Sequence, residues 1–529
     1  MRDVKIDMAS VYSLPNPNLR NYLARQREGS GAVITTNFAA TDSDFWQSLA
    51  EWEGFLSSKL KEWPSLQEFE FTMARKVGPL SVMKPLRERL PKIEEYYTDV
   101  QLASEPVSDQ AILLTARELG RGGNAQMLSV EGSLAQMKLS TNSGSPYFTK
   151  RKIVIERGHI GRVTREGNQW FTTTANGKFQ LAATLGWRGQ EGGPTVEDVK
   201  QRVLWMFPMD ANVEEARVYA PLIAHCQQNG TIPGWLGNDY VDRQVTRLFD
   251  SKGSSDLIVG TDFTGFDQHF GAYPAEAALK VYRMMFAKDS NFARWAEEIF
   301  PLKYHIPLVI GWGSMLMGFH GMASGSGGTN ADETVGHRAF QYEAALTAGE
   351  ILNQYSMCLG DDGILSYPGI TVEHVVDTYT AHGQVMNLDK QHVSADDVEY
   401  LKRWHHKNYR IDNVCRGVYS TCRALGKLRY MERFVDPSDW GATGQAIRAL
   451  SILENCCYHP LREEFLDFCL KRDAFRLGMD IPGFLDRINV YASKAIATGV
   501  VGYQYTDSFV DRPASEWWVT KALIRRKEV

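Results

Sequence analysis

Tyr355-Ser356-Met357-Cys358-Leu359-Gly360-Asp361-Asp362-Gly363-Ile364-Leu365 sets two carboxylates between two short apolar runs. The pattern predicts a β-hairpin with Asp361 and Asp362 at its tip, because Gly- and Asp-rich turns close antiparallel strands. Upstream, the apolar Leu257-Ile258-Val259 runs into Asp262-Phe263-Thr264-Gly265-Phe266-Asp267. A strand that leaves the core can present its terminal carboxylate to a cleft without burying an unpaired charge. Side by side, Asp262 and Asp361 would make an oxygen-rich site suited to Mg²⁺, which takes carboxylate, water and substrate phosphate together. Two such ions about 3.5–4 Å apart would activate an attacking hydroxyl and stabilise the leaving oxygen of an in-line phosphoryl displacement.

Taken singly these motifs are weak. A Gly-Asp-Asp triplet arises by chance in roughly one or two chains of this length in ten, and its commonest meaning is an exposed turn. A third feature lies between the acidic ones: Ser324-Gly325-Ser326-Gly327-Gly328-Thr329-Asn330, leading into a predicted helix through Ala345. Glycines there would let backbone N–H groups approach a phosphate or sugar, and a helix N-terminus favours an anion. The plainer reading is a flexible connector with Thr329 or Asn330 as N-cap. The ordered combination of all three features is what carries the chemistry.

The 529 residues are ordinary globular material, 43% hydrophobic and 23% charged, which excludes disordered, collagen-like and coiled-coil chains. The length suits about three or four folding units. The formal charge of −5, from 58 Lys+Arg and 63 Asp+Glu, counts against a nucleic-acid binder when taken as one number. Locally the balance reverses. Lys138, Lys150, Arg151, Lys152, Arg157, Arg162 and Arg165 face one acid, Glu156, a local excess that would attract phosphates. A solvated basic loop is the alternative reading. Trp170 and Phe171 nearby are read as core rather than as base-stacking groups, and His269 and His337 as structural.

Seven sparse cysteines with no CxxC spacing argue against a disulfide framework and for a reducing compartment. His405, His406, Cys415 and Cys422 fit no zinc template. The N-terminal residues lack the apolar stretch of a secretory signal. Residues 304–331 carry no Lys, Arg, Asp or Glu, yet Pro307, Gly311 and Gly313 interrupt their apolar part, which is too short to span a bilayer. Helices are expected over Asp42–Lys61, Ala275–Phe286, Ala446–Leu453 and Pro460–Phe475, with short β-rich runs from Arg165 through Val218. The plan is α+β with a helical C-terminal unit.

The order of the three central features resembles motifs A, B and C of viral RNA-dependent RNA polymerases: DxxxxD, then SGxxxT, then GDD. Other stretches resemble further motifs of that family. Thr141-Asn142-Ser143-Gly144-Ser145-Pro146 resembles motif G, which touches template. Lys200, Arg202 and Arg217 resemble the basic motif F, Lys390 the motif D lysine, and Tyr400-Leu401-Lys402-Arg403 motif E. The segments Trp205-Met206-Phe207-Pro208 and Glu454-Asn455-Cys456-Cys457-Tyr458-His459-Pro460 look closest to picobirnavirus polymerases, with partitivirus-like relatives as the alternative. One departure stands out: Glu333 occupies the position where many relatives carry an asparagine that helps recognise the ribose 2′-hydroxyl.

The resemblance implies a closed right hand with an antiparallel palm sheet backed by helices. Residues 1–70 would bridge fingers and thumb, 71–245 form fingers, and 246–275 the motif A palm. A fingers insertion would span 276–317, the remaining palm 318–410, and thumb and C-terminal segment 411–529. It implies template-directed RNA synthesis from NTPs, replicating and transcribing a double-stranded RNA genome. Asp262, Asp361 and Asp362 would hold two Mg²⁺ ions, with Mn²⁺ as a substitute, and Lys390 would protonate the departing pyrophosphate. Lys200, Arg202, Arg217, Asp267, Ser324, Thr329 and Asn330 would bind the NTP. Ser143, Gly144, Pro146, Lys150, Arg151, Lys402 and Arg403 would bind RNA. Implied partners are template and product RNA, NTPs and a viral capsid protein, in the virion interior and host cytoplasm. The rivals are a reverse transcriptase or other metal-dependent phosphotransferase, and a non-catalytic RNA-binding virion protein. Asp267, where reverse transcriptases place an aromatic, and Leu359-Gly360 favour ribonucleotides.

Overall fold

The computed structural model describes residues 1–120, 125–433, 435, 441–501 and 512–528. Its functional centre is a four-stranded antiparallel sheet in the order Met357–Leu359, Asp362–Leu365, Ile258–Thr261, His392–Ser394. Alternate residues along these strands feed two different cores, as the two-residue strand period requires. Val259 and Leu365 join Val335, Ala339 and Phe340 of the helix Thr329–Thr347. Ile258, Ile364 and Met357 join Val241, Val245 and Leu248 of the helix Asn238–Ser251. Helices on both faces explain why the strands read as short, continuously apolar runs. The predicted hairpin at 355–365 and the strand entering Asp262 are thus both present.

A five-stranded sheet lies to one side, in the order Arg2–Lys5, Ser314–Met317, Leu308–Gly311, Ala183–Gln190, Lys200–Met206. The charge-free stretch 304–331 supplies its hairpin Leu308–Gly311/Ser314–Met317, and burial in this sheet accounts for its apolar character. Among the described residues no helix is long and apolar enough to cross a membrane. A separate three-stranded sheet, Arg162–Glu166, Gln169–Thr174 and Gly177–Gln180, buries Trp170. The β-rich run stops short of Val218. Residues Met209–Asn229 form a helix that starts after Pro208, and its first turns are buried all round. Without a polar face the segment shows no helical period in sequence.

The first eighty residues reach both ends of the molecule. Arg2–Lys5 pairs with Ser314–Met317, while Trp52, Phe69 and Leu80 share a core with Leu425, Leu450 and Phe465 of the C-terminal helices. One buried carboxylate pins this junction. Glu70 accepts from Ser420 Oγ (2.5 Å), Thr421 N (2.8 Å), Thr421 Oγ1 (2.6 Å) and Cys422 N (3.1 Å), and pairs with His459 Nε2 at 3.0 Å. It caps the helix Thr421–Arg429 from outside, satisfying N–H groups that have no partner within that helix.

Asp210 plays a comparable part between the three-stranded sheet and the helix Met209–Asn229, accepting from Thr172 Oγ1 at 2.6 Å. Its burial outweighs this hydrogen bond and the one from the Gly161 N–H, pushing its pKa up to about 6. An acid whose folded pKa exceeds its unfolded one holds its proton longer in the native state, so stability falls as pH rises from about 4 to about 6. Asp210→Asn is therefore expected to raise the melting temperature at pH 7.5, by on the order of 1–2 kcal/mol of stability. Thermal melts at pH 4 should show no gain. A variant equally destabilised at both pH values would refute this.

Candidate active site

Register brings the acids together. Thr261 pairs with Gly363 and Gly260 with Ile364, so one step beyond the ladder Asp262 lies across from Asp362. The hairpin pair Leu359–Asp362 leaves Gly360 and Asp361 as the turn, with Gly360 at φ +60°. Gln391 closes the open end of the ladder: its Oε1 accepts from Asp262 N (2.8 Å) and its Nε2 donates to Asp262 O (2.9 Å). Side-chain amide atoms thus replace a strand partner and fix the backbone that carries Asp262. Asp262 and Asp361 remain exposed, whereas Asp362 is half-buried. Burial is the main cause that pushes the Asp362 carboxyl up to about 6; Lys402 opposes it, while Asp361 and Asp262 add to it.

The turn is held from behind by His337. A carbonyl can only accept, so Nδ1 donates to Gly360 O at 2.9 Å and Nε2 faces Thr261 Oγ1 at 3.4 Å. Burial drives this imidazole's pKa down to about 4, keeping it neutral. A Cβ on Gly363 would sit 2.4 Å from the His337 ring, so only glycine fits at this position of the strand after the turn. His337 was read from sequence as structural, and it is the strut that spans Asp262's strand and the Asp361 turn.

The glycine-rich segment has a different role from the one its composition suggests. Its polar groups are taken up by Glu215, which accepts from Ser326 Oγ (2.5 Å) and Gly327 N (2.8 Å). A Cβ on Gly328 would meet the Tyr219 ring at 2.2 Å, so this glycine serves close packing rather than phosphate approach. The N-cap is Gly328, not Thr329 or Asn330. Just inside the helix, Asp332 is fully buried; it accepts from Tyr219, Tyr282 and Tyr304 hydroxyls at 2.8–2.9 Å and pairs with Lys303 Nζ at 3.2 Å. Ser324 Oγ donates to Val203 O and Thr329 Oγ1 to Ser326 O, so both hydroxyls are engaged with backbone. Asn330 and Glu333 flank the turn: a Cβ on Gly360 would lie 3.4 Å from Asn330 Nδ2 and 3.6 Å from Glu333 Oε2. Asn330 also accepts from Trp235 Nε1 at 2.7 Å.

Asp267 and Glu333 are hydrogen-bonded to each other, and burial raises both carboxyls above the usual range. Two carboxyl groups can share such a bond only if one keeps its proton. The negative charge of Asp361 raises both further, and Arg202 opposes it. The positive charge of Arg202 also opposes the rise at Asp362.

Several expected contacts are not made. Arg217 lies on the helix Met209–Asn229, where it donates to Leu128 O and pairs with Glu214 at 3.0 Å. Arg403 is buried and bound to Asp242 (2.8 Å) and Gly417 O (3.0 Å), so its charge is unavailable to RNA. Ser143, Gly144 and Pro146 are buried, because Met209 N–H donates to Ser143 O (2.7 Å) and Gly144 packs against the Phe207 carbonyl. Arg151 turns inward to Asn212 Oδ1 at 2.7 Å. Lys150, Lys200, Lys390 and Lys402 are exposed, Lys390 directly before the Gln391 clamp. Of the basic stretch, Lys150, Arg157 and Arg162 keep exposed charges with no ion pair among the described residues, whereas Lys152 pairs with Glu156 and Arg165 donates to Glu297 O. Gln391, Glu215 and Asp332 were missed; no motif or spacing marks them.

Among the described residues, no three His, Cys, Asp or Glu side chains converge tightly enough to hold an ion alone. The exposed pair Asp262 and Asp361 with half-buried Asp362 suits a hard cation that completes its shell with water and phosphate oxygens, as Mg²⁺ does. Two of the Cys and His side chains that fit no zinc template are engaged elsewhere: His405 bonds Asp242 and Cys415 Sγ faces Lys407 O.

The sequence pattern described as viral RNA-dependent RNA polymerase matches residues 124–418. A human picobirnavirus protein (strain Human/Thailand/Hy005102/-), named "Potential RNA-dependent RNA polymerase", is 46% identical over 98% of each chain. The crystal structure of a human picobirnavirus RNA-dependent RNA polymerase superimposes with a TM-score of 0.93, and that of its insertion-loop deletion mutant with 0.92. Each is 44% identical and covers 99% of this chain and 100% of its own. The two sheets and flanking helices therefore form the closed right hand of fingers, palm and thumb, with Asp262 and the Asp361 hairpin in the palm. The chain belongs to the viral RNA-dependent RNA polymerases, beside those of the picobirnaviruses.

Proposed function

We propose that the chain joins an RNA 3′-hydroxyl to the α-phosphate of an NTP at Asp262 and Asp361, with Asp362 assisting, and so replicates and transcribes a double-stranded RNA genome. The observation that carries this reading is the register that sets Asp262 across from the Asp361–Asp362 turn. Viral RNA-dependent RNA polymerases use divalent metal ions. Two Mg²⁺ ions at these carboxylates, or Mn²⁺ in their place, would supply charge neutralisation and a more nucleophilic hydroxyl. The protein's own work is positioning and electrostatics, which such transfers chiefly require. Arg202 would grip triphosphate oxygens, with Lys200 farther out. Lys390 would give its proton to the leaving pyrophosphate oxygen. Asp267 and Glu333 would meet the ribose 2′-hydroxyl, which can both donate and accept. The setting would be the virion interior and the host cytoplasm, with a capsid protein as partner.

Purified protein incubated with RNA template, NTPs and Mg²⁺ should yield template-length product. Asp361→Ala should lower the rate by at least about 10²-fold, the scale of losing one group that stabilises a transition state electrostatically. Equal product from the variant would end the proposal. Asp267→Ala should narrow the preference for ribonucleotides over deoxyribonucleotides; an unchanged ratio would remove Asp267 from sugar selection. Lys150→Ala should make the log–log salt slope of RNA binding shallower by about 1. Arg403→Met should leave that slope alone but cost about 3–5 kcal/mol of stability, because Asp242 loses its buried partner.

A further inference from the structure

The amide that clamps Asp262 makes a third bond. Besides accepting from Asp262 N (2.8 Å) and donating to Asp262 O (2.9 Å), Gln391 donates through Nε2 to Asn387 O at 2.8 Å. A side-chain amide has two N–H donors, so both are spent on backbone carbonyls. Its orientation is fixed: exchanging Oε1 and Nε2 would set an oxygen against two carbonyls and an NH₂ against an N–H. The side chain is buried, which makes each of these bonds costly to lose.

Asn387 opens the turn that carries Lys390. Its carbonyl also accepts from Lys390 N (3.1 Å), and its side chain accepts from Asp389 N (3.0 Å). These bonds shape the turn without fixing its place in the molecule. Apolar packing does not fix it either, because no side chain of Leu388–Lys390 is buried. The register shows what Gln391 supplies instead. His392 pairs with Gly260, so an unbroken ladder would set Gln391 opposite Thr261 and Lys390 opposite Asp262. The chain leaves the ladder here, and the Gln391 side chain makes to Asp262 the two bonds that a strand partner would have made. Lys390 is thereby released from the sheet, exposed and with no ion pair among the described residues. Its turn nevertheless stays bonded to the Asp262 backbone through Gln391. On the far side of the same segment, Thr264 N donates to Val385 O at 2.8 Å.

We propose that Gln391 is a positioning residue for proton transfer, acting through Lys390: it holds the lysine's turn at a set reach from the carboxylate where the phosphates are handled. Proton transfer needs heavy atoms about 2.6–3.2 Å apart, a condition that a long side chain on an untethered turn meets only rarely. As the bond from the α-phosphorus to the leaving oxygen breaks, the ammonium gives that oxygen one proton, and water then reprotonates the amine. The proposal rests on the reading of Lys390 as proton donor.

Single-turnover addition of one nucleotide to a preformed primer–template, with Mg²⁺, tests it in wild type, Gln391→Met, Lys390→Met and the double variant. Lys390→Met should lower the maximal rate by about 10²-fold, the scale of a lost general acid. Gln391→Met should lower it by about tenfold with half-saturation by NTP unchanged, because the ammonium is misplaced rather than removed. The double variant should be no slower than Lys390→Met, since a residue that acts through Lys390 then has nothing to position. In the free protein, the backbone amides of residues 387–390 should exchange hydrogen faster in Gln391→Met than in wild type. Gln391→Glu, isosteric with the native amide, keeps the acceptor for Asp262 N and loses both donors. It should repeat the slower rate and the faster exchange, and it stands in where Gln391→Met folds poorly. A wild-type rate in both Gln391 variants overturns the proposal. So does a tenfold further loss in the Lys390→Met background, or a raised Mg²⁺ requirement in Gln391→Met, either of which assigns the effect to Asp262. A wild-type rate in Lys390→Met is a separate failure: it removes the proton-donor reading, and the proposal with it.

Discussion

Pairing Thr261 with Gly363 decides where every acid at the palm tip stands. Side chains alternate along a strand, so a slip of one residue would send Asp262 and Asp362 to opposite faces and exchange the two cores behind them. Three contacts resist that slip. His337 reaches both partners at once through Gly360 O and Thr261 Oγ1, Gln391 clamps both backbone atoms of Asp262, and Gly363 leaves room only for the His337 ring. None of the three touches the acid side chains themselves. The site is therefore specified by backbone placement, and the carboxylates stay free to meet metal and substrate.

The helix bearing His337 must itself be immobile, and the buried acids serve that end. Asp332 draws three tyrosine hydroxyls and Lys303 onto its first turn, and Glu215 ties the preceding loop to the helix Met209–Asn229. A buried pair of this kind yields little net stability over an apolar substitute, but its hydrogen bonds admit only one arrangement. This also resolves the apparent conflict between a net charge of −5 and an RNA-copying enzyme. Acids such as Glu70, Glu215, Asp242 and Asp332 are consumed inside the fold, and the cations facing the cleft are counted against them only on paper.

What was legible in sequence follows from this division. The hairpin, Asp262 and the α+β plan could be read because short-range patterns encode them: apolar runs, a glycine-flanked turn, fixed motif order. Arg217 and Arg403 were misassigned because a basic residue looks the same whether it meets RNA or a buried carboxylate more than a hundred residues away, as Arg403 meets Asp242. The glycine-rich segment misled for a related reason. Glycine permits close approach, and sequence does not say whether the approaching group is a phosphate or the Tyr219 ring. Gln391 and Glu215 had no local signal, since their roles exist only once distant strands and helices have met.

The acids around the tip form a graded series rather than a uniform patch. Asp262 and Asp361 face solvent; Asp362, half-buried, is drawn up to about 6; Asp267, also half-buried, and the buried Glu333 share a proton. Five carboxyl groups packed this closely could not all ionise, and graded burial sorts them. The outer groups lie open to a cation, and the inner pair keeps a hydrogen to donate. Glu333 in place of the usual asparagine is consistent with this order. Asparagine supplies a donor and an acceptor by its covalent structure, whereas glutamate supplies both only while burial and Asp267 hold its proton in place. The same function would then depend on the depth of the site, which is set by the helix that Asp332 anchors.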